Sequence, residues 1–282
     1  MNSDNTNWPK VSIVTVVYNS EKYIEATIKS VIAQNYPNLD FVIIDGGSED
    51  STMEIVNSYS DYISTIVTEE DEGIYNAMNK AKKYCEGNWM CFLNSGDLFF
   101  NDNVLLDIFN IVKKVNTDFV YGDTAYYSIS EKYQYLEGKM VDENDFRFSF
   151  PICHQSMFFS KNIIDQMHWY NESFKVVADW DLVTRIFLEK KYKKLYVNLC
   201  VSKFLIDEMN WKNGVGSLWE WVLLTNKYRS KITTSISFVI FLVKCMRYIL
   251  IINLKDYKIY SIYRNFKIKQ IKASAAYKKI NH

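Results

Sequence analysis

VSIVTVVYNSEKYIEATIKSVIAQNYPNLDFVIID, residues 11–45, decides the fold class. It begins with one β-branched run, VSIVTVVYN (11–19), and ends with another, LDFVIID (39–45); both have the length and character of buried strands. Between them, apolar residues recur at the spacing of one helix face: Ile24, Ile28, Val31 and Ile32. Ser20 is placed to cap this helix and Pro37 to end it. The stretch therefore predicts a strand, a helix and a second strand.

The same alternation continues along the chain. A third short strand, STIVTEE (64–70), is followed by Gly73 and by a helical pattern of apolar residues: Ile74, Ala77, Met78 and Ala81. The run WMCFLN (89–94) is the next strand. Strands that alternate with helices predict an α/β protein with a mostly parallel, Rossmann-like sheet and helices on both faces. In such sheets, ligands bind beyond the carboxyl ends of the strands.

Three carboxylates fall at those strand ends. Asp45 ends the second strand, and Asp71 and Asp97 lie just past the third and fourth. Glycines that allow close backbone approach accompany them at positions 46, 47, 73 and 96. A single Asp at such a place often does no more than start a turn. Three at matching strand ends favour a binding site.

The glycine pattern narrows the kind of site. The first strand runs into VVYNSEKY, which lacks the GxGxxG turn of dinucleotide-binding proteins, and no GxxxxGK[ST] phosphate loop occurs. Acidic residues bind nucleotide phosphates through a divalent cation, held by one or two carboxylates, phosphate oxygens and water. Asp97 is the candidate ligand for Mg²⁺ or Mn²⁺, with Gly96 leaving room for the diphosphate.

Composition bounds the class of protein. With 282 residues, 48% of them hydrophobic, the chain predicts one large domain or a domain with an appendage. The polar start, MNSDNTNWPK, has no pattern of a secretory signal. The five cysteines include no CxxC pair, so reduced thiols in a cytosolic protein are expected rather than a zinc site or a disulfide framework.

Charge is distributed unevenly along the chain. Residues 226–282 contain 13 Lys or Arg and one acid, Asp256, whereas the first 225 residues contain 20 basic and 32 acidic residues. An acidic body with a basic tail predicts that the tail meets a polyanion.

The apolar part of that tail indicates which polyanion. ISFVIFLVKCMRYILIINL (236–254) is nearly long enough to span a bilayer, but Lys244 and Arg247 in its middle would be costly there. An amphipathic helix in the interface of an anionic membrane fits better, and the basic residues that follow add attraction. Two alternatives stay open: binding of single-stranded nucleic acid, which is disfavoured, and a helix packed on the domain with a solvated basic face.

At this point the motifs carry a resemblance. Residues 11–52, the segment EEDEGIYNAMNKA (69–81) and FLNSGD (92–97) together resemble the nucleotide-binding half of family 2 glycosyltransferases, which have the GT-A fold. The likeness is close over residues 10–100 and extends weakly to about residue 205. It implies an inverting transferase that uses a nucleotide sugar.

The resemblance also implies residue roles. Tyr18 and the backbone around Val16 would flank the nucleobase, and Asp45 would hydrogen-bond it. The donor sugar or ribose pocket would be lined by Asp71, Gly73 and Asn79. In the NSGD segment, where the family has its Asp-x-Asp motif, Asp97 would bind Mn²⁺ or Mg²⁺, and Asn94 and Ser95 would contact the donor nucleotide. Only one carboxylate remains in that motif, which implies weaker metal binding that depends on the nucleotide.

The second half should supply the base and the acceptor site. FKVVADWDLVTRIFLEKK (174–191) predicts a helix with Asp179 and Asp181 near its start, where acids also simply favour the helix dipole. By resemblance to the ED motif of inverting members, Asp179 is the general base, with Ala178 in place of the Glu. Trp180 would stack on a sugar or belong to the core.

Two further segments contain polar residues with a possible role in the site. His154 and Gln155 stand before the apolar strand of PICHQSMFFS (151–160) and are expected to contact acceptor or diphosphate, although a lone His is more often structural. Asp123, in the strand FVYGDTAYY (119–127), is either a wall of the acceptor cleft or a bulge.

Together these expectations define a chain in three parts: residues 1–100 bind the nucleotide sugar, residues 101–225 carry the acceptor site and base, and residues 226–282 form a basic, helical, membrane-associating tail. The predicted function is transfer of a sugar from a UDP-sugar to a glycan acceptor linked to polyprenyl diphosphate, in synthesis of surface polysaccharide or O-antigen. The enzyme is expected on the inner face of the cytoplasmic membrane, with no nucleic-acid partner. The alternative is a non-catalytic relative that binds nucleotide sugar or glycan.

Overall fold

One mixed sheet, covered by helices, organises the chain. The computed structural model describes residues 8–128, 133–143, 145–147, 151–205, 214–228, 239, 242–243 and 277–279. Its elements in chain order are β1 (Val11–Val17), α1 (Ile24–Ile32), β2 (Leu39–Asp45), α2 (Thr52–Asn57), β3 (Thr65–Thr68), α3 (Ile74–Lys80), β4 (Trp89–Phe92), β5 (Leu98–Phe99), α4 (Val104–Val112), β6 (Phe119–Ser128), β7 (Tyr133–Glu137), β8 (Met157–Ser160), α5 (Lys161–Gln166), α6 (Ala178–Leu188), β9 (Lys194–Leu205), α7 (Gly214–Tyr228) and β10 (Tyr277–Lys279).

The first half of the sheet is the parallel layer that the alternation predicts. The strands lie in the order β4-β1-β2-β3, all parallel. Val17 at the end of β1 is paired with Asp45 at the end of β2. The carboxyl ends of these strands therefore share one edge of the sheet, which we call the rim, and the segments that follow them lie there.

The second half of the sheet mixes strand directions. β8 lies between β4 and β6 and is antiparallel to both, β7 is antiparallel to β6, and β9 is parallel to β6. The register of β6 against β9 shifts on either side of Asp123, so this residue lies in a bulge, where its Oδ1 accepts from the Tyr196 hydroxyl at 2.7 Å. The bulge alternative for Asp123 is confirmed.

Apolar side chains from alternate positions of β1 divide the core into two parts. Val14 and Val16 face a cluster that includes α3, α5 and α6. Ile13 faces the opposite cluster, which includes α1 and α4. Helices therefore cover both faces, as the sequence predicts.

The start of α1 differs from the expectation. The helix begins at Ile24, with Tyr23 rather than Ser20 at its N-cap. Ser20 lies in the preceding turn, and its Oγ is 2.6 Å from the Oγ of Ser95. The predicted cap is wrong because the hydroxyl is engaged across the rim instead.

Helix α7 is fastened to α6 through a buried carboxylate. Asp181 accepts hydrogen bonds from Lys227 Nζ (2.9 Å) and the Tyr228 hydroxyl (2.8 Å) at Oδ1, and from Arg185 Nε (2.8 Å) at Oδ2. Asp181 is fully buried. The first residues of the predicted tail, 226–228, thus belong to a helix that packs on the body.

A second carboxylate connects α7 to the segment before α6. Glu220 accepts from three consecutive backbone N–H groups: those of Lys175 and Val176, each at 2.8 Å, and that of Val177 at 3.2 Å. These donors precede the first turn of α6, so Glu220 holds the backbone that leads to Asp179.

Most of the basic tail lies outside the described residues, and so do most positions of the predicted interfacial helix at 236–254. Tyr277–Lys279 form an edge strand paired with β7 rather than part of a helix, because β7 offers free backbone groups at the sheet edge. Among the residues that the structure describes, no helix combines the length and apolar character needed to cross a bilayer.

Candidate active site

The NSGD segment forms a tight turn after β4. Asp97 N donates to the Asn94 carbonyl at 3.0 Å, and Gly96 adopts a φ of +96°, which favours glycine. Thr27 of α1 fixes the turn, since its Oγ1 accepts from Gly96 N and donates to the Asp97 carbonyl, both at 2.9 Å. Ser95 is held by Ser20. The turn is therefore anchored to α1 and its approach rather than left free.

Asp97 is more enclosed than the sequence suggested. Its side chain is 5% exposed, Oδ2 accepts from Gln155 Nε2 at 2.7 Å, and Oδ1 accepts from Leu205 N at 3.3 Å. Burial raises the pKa of Asp97 to about 7. Nearby, Asn94 Oδ1 is buried and lacks a hydrogen-bond partner in the described part of the chain.

This donor set does not fit a divalent cation held by the protein alone. Mg²⁺ and Mn²⁺ sites use oxygen ligands free to approach the ion in near-octahedral geometry. The turn offers one carboxylate, already bound by two N–H donors, and one amide oxygen. Within the described ranges, no three His, Cys, Asp or Glu side chains converge to hold a metal ion. The metal role of Asp97 stays a prediction.

Asp45 is buried at the end of β2 and bonds within its own turn. Its carboxylate accepts from Gly47 N and Ser48 N at 3.2 Å and from the Ser48 hydroxyl. The predicted contact with a nucleobase is therefore made only if one of these bonds is exchanged. The turn that Asp45 organises shapes the rim beside Tyr18.

Asp71 occupies the space that Gly46 leaves open. A Cβ placed on Gly46 would lie 2.3 Å from Asp71 Oδ2 and 3.5 Å from the Tyr18 ring. The other oxygen, Oδ1, accepts from Gly73 N at 2.8 Å. Tyr18 itself is 61% exposed. The structure thus brings an exposed aromatic face and a carboxylate together at the rim.

Two other residues predicted to bind the nucleotide sugar face the interior of the protein. Val16 is buried in the core, and its carbonyl accepts from Ser95 N at 3.4 Å. Asn79 uses its amide to fasten the segment before α6: Oδ1 accepts from Tyr170 N, and Nδ2 donates to the Tyr170 carbonyl and to Glu172 Oε1. Their predicted contacts with the donor stay predictions.

His154 and Gln155 lie behind the NSGD turn. His154 is buried, its Nε2 is 2.7 Å from the Tyr170 hydroxyl, and its ring stacks on Phe92. Burial lowers the pKa of His154 to about 4, so the ring is neutral at pH 7. Gln155 is buried as well and supports Asp97. Gln155 therefore supports the turn from within the core, whereas the contacts of His154 are with Tyr170 and Phe92.

Asp179 lies in the first turn of α6. Its Oδ1 accepts from Trp180 N at 2.9 Å and from the Tyr75 hydroxyl at 3.0 Å, whereas no hydrogen bond from the described residues reaches Oδ2. Burial raises the pKa of Asp179 to about 6, although its hydrogen bonds oppose this shift. Trp180 is half-buried and packs against the core. One oxygen of Asp179 is thus held and the other is free.

Tyr75 contacts Asp179, although nothing in the sequence indicates this. It is buried in the first turn of α3, directly after the Asp71–Gly73 segment, and its hydroxyl reaches Asp179. Lys175 Nζ also contacts the carbonyl of Glu72, at 3.3 Å. Asp179 is therefore fastened to the rim, on the side of Asp71. In the sequence, Tyr75 lies within EEDEGIYNAMNKA but outside the apolar pattern of this helix, and nothing marks it as a partner of Asp179.

Comparison with known proteins identifies the class. The family model described as Glycosyl transferase family 2 matches residues 12–174, and the chain belongs to this family. The PGL/p-HBAD biosynthesis glycosyltransferase of Mycobacterium bovis is 27% identical over 200 residues, which are 70% of this chain and 77% of that protein. The putative teichuronic acid biosynthesis glycosyltransferase TuaG of Bacillus subtilis is 37% identical over 103 residues, 35% of this chain and 41% of TuaG.

Solved structures show the same GT-A fold. TarS 1-349 of S. aureus in complex with UDP-GlcNAc has a TM-score of 0.61 at 16% identity, over 83% of this chain and 72% of that one. The chain spans 43% of a longer TarS chain. The mannosyltransferase PcManGT of Pyrobaculum calidifontis, in complex with GDP-Man and Mn²⁺, has a TM-score of 0.60 at 16% identity. The match covers 92% of this chain and 84% of that one. These neighbours agree in fold with the family model, which identifies the chain as a family 2 glycosyltransferase.

Proposed function

We propose that this transferase moves a sugar from a UDP-sugar to a hydroxyl of a glycan acceptor linked to polyprenyl diphosphate, in the synthesis of a surface polysaccharide such as O-antigen. The UDP-GlcNAc complex of a protein with the same fold supports the choice of donor. The name of TuaG supports a polysaccharide product. The basic composition of residues 226–282 supports work at the inner face of the cytoplasmic membrane.

The geometry of Asp179 carries the proposal. A general base needs an unprotonated oxygen that can reach the acceptor hydroxyl, and a pKa not far below the working pH. Asp179 has Oδ1 fixed by two donors, Oδ2 free, and a pKa raised to about 6. The helix dipole alone would favour the charged form and lower the pKa of the carboxyl, whereas burial raises the pKa of Asp179 to about 6.

The reaction then runs as a single displacement. The acceptor hydroxyl gives its proton to Asp179 Oδ2 as its oxygen attacks the anomeric carbon, and UDP leaves from the opposite side. One displacement inverts that carbon, so an α-linked donor yields a β-linked product. Trp180, next to the base, packs against the acceptor sugar.

The donor lies across the rim. Tyr18 stacks on the uracil through its exposed ring, and Asp71 faces the base or ribose from the place that Gly46 leaves open. Asn94 and Ser95 face the diphosphate and sugar from the NSGD turn. Gln155 supports Asp97 of that turn from behind, and His154 holds Tyr170 in the core beside it. Mn²⁺ or Mg²⁺ remains the proposed cofactor, entering with the nucleotide, and no step above depends on it.

Gly46→Ala tests the placement of Asp71. The new Cβ would fall 2.3 Å from Asp71 Oδ2 and force that carboxylate away from Tyr18. We expect UDP to bind about tenfold more weakly, since one charge-assisted hydrogen bond is worth about 1.5–3 kcal/mol. Isothermal titration with UDP measures this. Gly122→Ala is the control: its new Cβ would meet the Leu199 carbonyl and the Val197 and Val201 side chains of β9, so it reports general packing strain instead. Equal UDP affinity in Gly46→Ala and the parent would contradict the placement.

The reaction itself is tested by released UDP. UDP-Glc, UDP-Gal, UDP-GlcNAc and UDP-GalNAc are incubated with the full chain, with Mn²⁺ and with EDTA. We expect slow hydrolysis of one donor, faster with Mn²⁺. Equal rates with EDTA would remove the cation from the proposal.

If no donor releases UDP in that screen, titrations with UDP and with GDP separate three cases. UDP binding without release in the presence of lipid-linked acceptor identifies a non-catalytic nucleotide-sugar-binding relative, which the enclosed Asp97 favours as second candidate. Binding of GDP alone identifies a different donor. Binding of neither rejects the proposal.

A further inference from the structure

Tyr75 presents one proton to two acceptors. Its hydroxyl lies 3.0 Å from Asp179 Oδ1 and 2.9 Å from the carbonyl oxygen of Val176. A phenol has a single O–H, so it donates to only one of these at a time. The two acceptors differ in kind, because one changes its charge when it binds a proton and the other does not.

The surrounding structure holds both acceptors in place. The ring of Tyr75 is buried and packs against Tyr170, with ring centres 5.4 Å apart. The peptide group that carries the Val176 carbonyl is fixed from its other end, where the N–H of Val177 donates to Glu220 at 3.2 Å. Rotation about the C–O bond of Tyr75 is therefore enough to exchange one hydrogen bond for the other.

We propose that Tyr75 is a positioning residue for the base, whose hydroxyl turns from Asp179 to the Val176 carbonyl when Asp179 takes up a proton. This inference rests on the proposed function and adds to it the group that sets the proton affinity of the base. While Asp179 is charged, Tyr75 donates to Oδ1, which stabilises the charge and directs Oδ2 outward.

Proton and hydrogen bonds balance in both states. When the acceptor hydroxyl gives its proton to Oδ2, Oδ1 becomes the carbonyl oxygen of a carboxylic acid and accepts hydrogen bonds more weakly. Tyr75 then donates to the Val176 carbonyl and keeps its own proton throughout. The buried phenol is thus never left without an acceptor, which would be costly.

Among the residues that the structure describes, few ionisable groups face Asp179. From α3 it meets Tyr75, and from the segment before α6 it meets Tyr170; burial raises the pKa of both phenols well above its usual range, so both stay neutral. Glu220 is occupied by backbone N–H groups, and Asp181 in α6 by Arg185, Lys227 and Tyr228. Tyr75 is therefore the side chain whose hydrogen bond tunes Asp179.

The direct test is a titration of Asp179 in the full chain. Carboxyl ¹³C-labelled aspartate is followed by NMR from pH 4 to 8, and the resonance absent from Asp179→Asn is assigned to this residue. In Tyr75→Phe, which keeps the ring, we expect the pKa of Asp179 to rise by about one unit, the size expected for one hydrogen bond to a charged group. An unchanged pKa would overturn the proposal.

Two further variants sharpen this test. Tyr36→Phe removes a buried hydroxyl that donates to the Pro9 carbonyl at 2.7 Å, in the opposite core cluster, and should leave the Asp179 titration unchanged. 3-Fluorotyrosine at position 75 keeps the hydroxyl and makes it a stronger donor, so the pKa of Asp179 should fall. This second substitution gives the answer even where Tyr75→Phe folds poorly.

The pH dependence of the kinetics distinguishes an effect of Tyr75 on the pKa of Asp179 from a role in packing alone. In Tyr75→Phe, the acid limb of kcat/KM should move up by the same amount as the NMR titration, while the rate at the alkaline plateau changes less. A uniform loss at every pH, with an unmoved limb, would reduce Tyr75 to a packing residue. If no variant transfers sugar but the NMR shift is observed, the proposed function fails and the link between Tyr75 and Asp179 stands.

Discussion

Replacement of Asp179 by Asn is expected to lower the rate of sugar transfer by about a thousandfold while leaving UDP affinity nearly unchanged. A positioned general base contributes about 10²–10⁴-fold, and an amide cannot take the proton. The amide oxygen still accepts from Trp180 N and Tyr75, so the surrounding structure should persist. The measurement pairs the initial rate of transfer with a UDP titration.

Asp107→Asn is the matched control for this variant. Asp107 also lies in the first turn of a helix, α4, but on the opposite face of the sheet and exposed to solvent. If first-turn acids matter only through the helix dipole, both variants should behave alike. A large loss of UDP binding in Asp179→Asn would contradict its role as base, because it would place Asp179 in the donor site.

Stability gives an independent readout of the same substitution. The pKa of Asp179 is raised to about 6 in the fold, against about 3.9 for Asp in an unfolded chain. The folded protein thus binds the proton more tightly, and ionisation lowers the free energy of unfolding as pH rises through this window. Asp179→Asn should therefore melt above the parent at pH 7.5 and level with it at pH 4. The proposed base would thus be maintained at a cost in stability.

Replacement of Asp181 by Ala, two residues further on, should lower the stability of the protein rather than raise it. Its carboxylate is buried and accepts from Arg185, Lys227 and Tyr228. Removing one partner of a buried charged network typically costs about 3–5 kcal/mol, because the remaining charges lose their counter-charge. We expect a loss of about 3 kcal/mol or more in the free energy of unfolding, measured by urea denaturation, with α7 released from α6.

Glu25→Ala is the control for that measurement. Glu25 pairs with Lys29 at 2.9 Å on the exposed surface of α1, and such pairs contribute less than about 1 kcal/mol. The two variants remove the same kind of charge from different surroundings. If Asp181→Ala unfolds at the same urea concentration as Glu25→Ala, the Asp181 network does not hold α7.

The parallel half of the fold and the location of the rim could be predicted from sequence because both follow from local patterns. Strand and helix periods are legible in residues 11–94, and parallel strands must bring their ends to one edge. The mixed directions of β6 to β9 could not be predicted in this way. They depend on pairing between strands far apart in the chain, which leaves no trace in local periodicity.

The same limit applies to the proposed site. The positions of Asp45, Asp71, Asp97 and Asp179 follow from strand and helix ends, but their environments do not. Asp97 is enclosed by Gln155 and Leu205, which lie 58 and 108 residues further along the chain. The contact of Asp45 with Ser48 is the exception, since an Asp followed by Gly-Gly-Ser is a recognisable turn.

The bond between Glu220 and the backbone of residues 175–177 has a consequence for the order of events during synthesis. The rim segments and Asp179, the proposed base, are all translated before α7. The backbone N–H groups of residues 175–177 can bond to Glu220 only after residue 220 has left the ribosome. A nascent chain halted before this point contains all the residues of the proposed site but lacks the hydrogen bonds from Glu220 that hold residues 175–177. On the proposed function, the chain would therefore become able to transfer sugar only late in synthesis, shortly before the basic tail is translated.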